Sequence, residues 1–266
     1  MSGLKHKDQM EIKKLNAERG WIWVKQGYAL FMKAPLLWIV LLMICMAAAI
    51  ALSSVPMVGE PLVSLLMPVV LAGLYAGCRA LQQNEELELA HLFTGFHRQT
   101  TQLVTLGGIT LVGQFLIFGL MMLLGGAVLV SILMSAQPET DPNVIAQAVS
   151  GASLSVLVGI ALFSLLMMAI QFAPMLVYFN NVTPLQAMKL SLRAFLINVG
   201  PMLVYGMTYM MLAILASIPM MLGWLILLPL TFTSLYASYS DIFAPLQEAP
   251  AATMPVDTFT PDKDTF

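Results

Sequence analysis

The sequence predicts an all-α fold, a polytopic transmembrane helical bundle of six spans. Three observations carry that prediction. Hydrophobic residues make up 59% of the 266-residue chain and charged residues only 10%. A soluble domain carries about 25% charged residues, so this chain lacks the polar surface to cover a globule in water, and its solvent is lipid. Six apolar stretches reach the roughly 20 residues that a helix needs to cross a bilayer. Finally, all twelve Lys and Arg fall in segments 1–34, 79–100, 180–200 and 243–266, while the alternate connections near 56–60, 135–150 and 218–223 hold none. That partition follows the positive-inside rule and places both termini in the cytoplasm.

The elements follow in chain order. Residues 1–34 form a basic cytoplasmic segment with seven of the twelve cations. Within it, Trp21, Val24, Tyr28 and Phe31 recur at helical spacing opposite Lys25 and Lys33, which suits an amphipathic helix at the headgroup boundary. Lys13, Lys14, Arg19 and Lys25 would face anionic lipid there. The first apolar run, 35–55, is too long and too late for a cleaved leader and is read as a retained first span. The second covers 61–81. Leu87, Leu89, Leu92, Phe93 and Phe96 then give an apolar face opposite Glu85, Glu86 and Glu88 in a second surface helix over 85–98.

The third stretch, 103–134, exceeds 30 residues. It must tilt, project, or break at Gly107-Gly108 or Gly125-Gly126. A polar connection, 135–153, carries turn-forming Pro138, Asp141 and Pro142. The fourth span covers 152–179, with Asn180 and Asn181 as its cap. In 185–196, Leu185, Met188, Leu192 and Phe195 line one face beside Lys189 and Arg193, a third surface helix. Spans five (201–218) and six (220–242) share the tight turn "SIPMMLG". The tail 244–266 is rich in Pro, Ala and Thr and reads as disordered. The membrane domain therefore occupies 35–243.

The chain also echoes itself. "GLYAG" (73–77) and "SLYAS" (234–238) close spans two and six, each with a proline seven residues before its tyrosine (Pro68 to Tyr75, Pro229 to Tyr236). Gly73 and Gly77, like Ser234 and Ser238, are small residues four apart on one helical face, where two helix backbones can approach closely. "FAPMLVYFN" (172–180) is a weaker echo. The segments entering spans one, three and five recur as well, with Phe96 aligned to Phe195 and Gly107 to Gly206. The architecture expected is three copies of one unit, an interfacial amphipathic helix followed by a transmembrane hairpin.

Chemistry-bearing residues are sparse. An ionisable group deep in a bilayer is costly and marks function, yet no span carries one near its centre. Arg79 and Asp241 stand at the ends of spans two and six, placed to pair across a seam or simply to anchor two helix ends. Gln114 and Gln171 are the polar side chains within spans, suited to interhelical bonds or a small cavity. Pro68, Pro174 and Pro229 either kink their helices or free backbone carbonyls. Cys45 and Cys78 lie in apolar runs without metal or redox spacing. The 21 methionines, including the pair in "MICM" (43–46), are scattered as packing filler rather than grouped for copper. No HExxH, GxSxG or Walker pattern occurs, so no catalytic, cofactor or metal site is expected, and no nucleic-acid partner.

"GWIWVKQGYALFMKAPLLW" (20–38), "LFTGF" (92–96) and "LSLRAFLINVGPML" (190–203) resemble a family of uncharacterised six-span inner-membrane proteins of proteobacteria, and more distantly the YciC-type membrane families. The resemblance implies an inner-membrane, all-helical protein and carries no catalytic residues. The function expected is a non-catalytic structural or accessory protein, assembling with itself or a membrane-protein partner. The alternative is a transporter or lipid-handling protein with a cavity near Gln114, Gln171, Tyr75 and Tyr236.

Overall fold

A computed structural model describes residues 12–127, 130, 143, 146 and 150–243. The first eleven residues, the expected end of the third span, most of the connection 135–153 and the tail 244–266 lie outside the described residues. Among the described residues the chain forms helices and turns with no strand. The helices are α1 (Arg19–Phe31), α2 (Pro35–Ser53), α3 (Gly59–Gln82), α4 (His91–His97), α5 (Thr100–Met121), α6 (Ser153–Ile170), α7 (Ala173–Asn180), α8 (Pro184–Ile197), α9 (Val199–Ser217) and α10 (Trp224–Ile242).

Among the described residues five segments are long and apolar enough to cross a membrane: Pro35–Ser53, Gly59–Gln82, Thr100–Gly126, Ser153–Asn180 and Val199–Ser217. Their outward faces are apolar, with Leu116, Leu157, Ile160, Leu203 and Met207 each more than half exposed. Such a surface is stable only against hydrocarbon. This is an integral, multi-pass membrane protein. The sixth expected span, α10, has 19 residues but stands outside that apolar set. Thr233, Ser234 and Ser238 lower its hydropathy, and all three are buried within the protein.

Two irregularities have local causes. The third segment winds into a π-helical turn over Met122–Gly126, where Gly125 takes φ +103°, a conformation open to glycine without steric cost. The break thus falls at the second of the two glycine pairs offered by the sequence. At the first pair α5 is continuous. A Cβ on Gly107 would lie 2.5 Å from the Leu65 carbonyl oxygen, so that glycine brings α5 against α3. The fourth segment breaks at Gln171-Phe172, just before Pro174. Ser191 of α8 enters the gap: its hydroxyl donates to the Met168 carbonyl at 2.7 Å and accepts the Phe172 N–H at 3.1 Å. A side chain inserted into the i→i−4 ladder is a recognised cause of a helix bend.

The core is filled with large side chains. Trp23, Trp38, Leu103, Leu106, Phe172, Met175 and Leu176 are all essentially inaccessible. Cys78 is buried and Cys45 partly so, and both are free thiols. Among the described residues the Trp38 indole N–H has no hydrogen-bond partner.

The three short surface helices pack in a consistent order. The first, α1, lies against α9 and α10; α4 lies against α3; α8 lies against α6. Each therefore rests on the hairpin preceding it in the chain, with α1 resting on the last.

Candidate functional site

The buried faces of the surface helices are built from small residues. In α1 they are Gly20 and Gly27 beside Trp23, Val24 and Phe31. Trp21 and Tyr28, expected with Val24 and Phe31 on one face at the headgroup boundary, are about half exposed, whereas Val24 and Phe31 are buried. The face packed on the bundle is set by the two glycines, which admit the neighbouring backbone and leave the two rings outside the contact. A Cβ on Gly20 would meet the Pro201 carbonyl at 2.3 Å, and one on Gly27 would meet the Ser234 backbone at 2.6 Å. The second surface helix is shorter than expected, since 85–90 is not helical. Leu87 and Leu92 are buried, whereas Leu89, Phe93 and Phe96 are exposed. Gly95 carries the contact, with the Val69 carbonyl 2.2 Å from where its Cβ would sit. In α8 the buried residues are Pro184, Ala187, Ser191 and Ala194, with Leu185 exposed.

This explains the repeated pentapeptide. Gly73 faces the α4 backbone, with the His91 and Leu92 carbonyls 2.7 Å from a would-be Cβ, and Ser234 faces Gly27 of α1. The first small residue of each pentapeptide thus seats a surface helix, Gly73 seating α4 and Ser234 seating α1. The close approach expected between spanning helices is made with surface helices instead. Gly77 is covered by the Leu87 side chain, and Ser238 is buried with its hydroxyl donating to the Leu235 carbonyl at 2.7 Å. The two tyrosines differ. Tyr75 is buried edge-on to Phe232, ring centres 6.4 Å apart, while the Tyr236 hydroxyl donates to Gln82 Oε1 at 2.7 Å. The aligned pair Gly107 and Gly206 also part company: Gly206 has nothing within 4 Å of a would-be Cβ.

Ser234 has a second role. Its hydroxyl donates to the Leu230 carbonyl at 2.7 Å, which leaves its oxygen to accept from Tyr205 at 2.9 Å and Tyr209 at 2.5 Å. A buried polar cluster is thereby satisfied between α9 and α10.

Arg79 and Asp241 do not pair. Asp241 accepts two bonds from Arg19, at 2.7 Å from Nη2 and 2.8 Å from Nε, and a third from the Trp23 indole N–H at 2.8 Å. Arg79 instead stacks over Phe179 at 5.2 Å, and Arg98 over Tyr178 at 5.7 Å. The planar guanidinium of Arg19 fits a carboxylate bidentately, and α1 lies on α10, so the nearer cation takes the acid. Arg19 is accordingly an ion-paired charge rather than an isolated one. Lys13, Lys14 and Lys25 are exposed, and Lys25 lies 6.0 Å from the Trp21 ring.

Asparagines tie the chain together. Asn181 is the left-handed C-cap of α7, and its Oδ1 accepts from Gln99 Nε2 at 2.7 Å. Asn180 accepts from the Tyr239 hydroxyl. Asn198, which the sequence pattern does not single out, is fully buried at the α8–α9 junction. Its Oδ1 accepts the Leu15 N–H at 2.8 Å and its Nδ2 donates to the Lys13 carbonyl at 3.0 Å. These bonds hold residues 13–15 to the bundle, 183 positions away in sequence.

Two clefts involve the expected cavity residues. One of about 420 Å³ lies between α1, α3 and α10, lined by Arg19, Lys33, Gln82, Tyr236, Ser240 and Asp241 among others. Another of about 260 Å³, between α3 and α5, includes Glu60, Ser64 and Gln114. Gln171 and Tyr75 line neither cleft. Neither Gln114 nor Gln171 makes a side-chain hydrogen bond among the described residues.

The chain is 28% identical over 268 residues to a probable inner membrane protein of Burkholderia thailandensis, covering 92% of this chain and 98% of that protein. No family model matches, and no solved structure matches. An end-to-end likeness to an inner-membrane protein, rather than to a YciC-type one, accords with the apolar helices: the molecule is a multi-pass protein of the inner membrane.

Proposed function

We propose that this is a non-catalytic structural or accessory membrane protein. Its three units, α1–α3, α4–α7 and α8–α10, would form six spans in a closed ring with both termini in the cytoplasm. What supports the reading is the seating of each surface helix on the preceding hairpin through small residues, with α1 closing on α10. The filled core supports it too, because large buried side chains occupy the space that a carrier would keep for substrate. The cytoplasmic placement of the termini rests on the basic residues alone. Lys13, Lys14 and Lys25 would hold the α1 face to anionic lipid at about 1 kcal/mol each. A second membrane protein, or another copy of this chain, would dock on the outward faces.

Replacing Gln114 and Gln171 by leucine tests the reading. Neither side chain is bonded, so the double variant should fold, assemble and complement a deletion like the parent. Loss of complementation with unchanged folding would instead favour a carrier or lipid-handling protein working through a polar cavity. Partners are sought by cross-linking in intact membranes, then mass spectrometry of the detergent-purified particle. A stable protein partner or homo-oligomer is expected, and a lone monomer would contradict an assembly role.

A further inference from the structure

We propose that the cleft between α1, α3 and α10 binds the phosphate headgroup of an anionic phospholipid. The cleft holds two cations and one carboxylate, Arg19, Lys33 and Asp241. A guanidinium has five N–H donors and an ammonium three. Asp241 engages two of the Arg19 donors. The Lys33 ammonium donates to the Leu81 carbonyl at 2.7 Å and to Asn84 Oδ1 at 2.9 Å. Among the described residues, three donors on Arg19 and one on Lys33 remain for a ligand, and N–H donors without acceptors suit an anion.

Position identifies the anion's source. The wall of the cleft is α1, whose opposite face carries the exposed rings of Trp21 and Tyr28, and amphipathic rings of this kind mark the headgroup level of a bilayer. Phospholipid phosphates lie at that level. The hydroxyl of Ser240 and the amide of Gln26 line the same cleft and suit glycerol oxygens, while Leu30 and Ala237 give it an apolar side. This site is separate from the exposed lysine fringe, which attracts anionic lipid without selecting a position.

The test uses the full chain in mild detergent, with phosphatidylglycerol or phosphatidylcholine added and retained lipid read by native mass spectrometry. Phosphatidylglycerol should be preferred by about tenfold, because the choline cation of phosphatidylcholine offsets the charge of its phosphate. Lys33→Gln should lower its retention about tenfold, and Lys189→Gln, at an exposed lysine of α8 away from the cleft, should leave it unchanged. Ala237→Trp, which fills the cleft and keeps its charges, should also lower it, so the result does not depend on one variant folding. Equal retention of the two lipids, equal effects of Lys33→Gln and Lys189→Gln, or full retention in Ala237→Trp would overturn the proposal. So would displacement of the lipid by millimolar inorganic phosphate, which would assign the cleft to a soluble anion.

Discussion

Asp241 shows how a single carboxylate in a largely apolar protein is stabilised. Three donors converge on it from one turn of α1, two from Arg19 and one from the buried Trp23. Its side chain is 19% exposed and that of Arg19 34%, so water screens the pair in part and Coulomb attraction contributes less than in a sealed core. The hydrogen bonds are charge-assisted and contribute more. Asp241→Ala should destabilise the protein by about 1–3 kcal/mol, read as a lower Tm in detergent. Arg79→Gln should shift Tm little, because Arg79 is exposed and stacks on one ring without a carboxylate. Trp38 is the opposite case. Its buried N–H has no partner, and an unmade bond of that kind costs about 1–3 kcal/mol. Trp38→Phe removes that donor while losing ring volume, so the two effects oppose each other and Tm should stay near the parent value. A large drop would mean that the N–H is bonded after all.

At the scale of the element, helix position was readable from the sequence and helix orientation much less so. Runs of apolar residues mark where α2, α3, α5, α6 and α9 lie, because only a helix satisfies its own backbone in lipid. Gly125 marks a break for an equally local reason. The faces of the surface helices escaped the pattern because aromatic periodicity has two readings at an interface. Trp21 and Tyr28 follow the spacing of a packed face, yet rings of that kind are also at home among headgroups. The glycines decide it, since only they allow the backbone distances observed. Gly27→Leu and Gly95→Leu should therefore displace α1 and α4, lowering Tm and increasing protease sensitivity near those helices. Gly206→Ala meets no atom within 4 Å and should be tolerated, with a small gain from helix propensity. If all three behave alike, glycine-mediated seating of the surface helices is wrong.

For the molecule as a whole, the membrane setting was legible and the wiring was not. Composition alone placed the chain in lipid. The contacts that close the bundle link residues far apart: Arg19 to Asp241 spans 222 positions and Tyr236 to Gln82 spans 154. No local pattern encodes such pairings, which is why Arg79 looked a plausible partner for Asp241 and Asn198 attracted no notice. The number of crossings raises the same difficulty. Mean hydropathy averages over every face of a helix, so α10, with Thr233, Ser234 and Ser238 turned inward, scores low despite its length. Its polar groups are bonded within the protein, as when Ser234 meets Tyr205 and Tyr209, and buried bonding of this kind lets a polar helix cross a bilayer. Reporter fusions at the two ends of the chain decide between five crossings and six. With α10 as the sixth, both reporters report the cytoplasm and a reporter at Thr140 reports the opposite side. Termini on opposite sides of the membrane would leave α10 uncrossed and the three-unit ring broken.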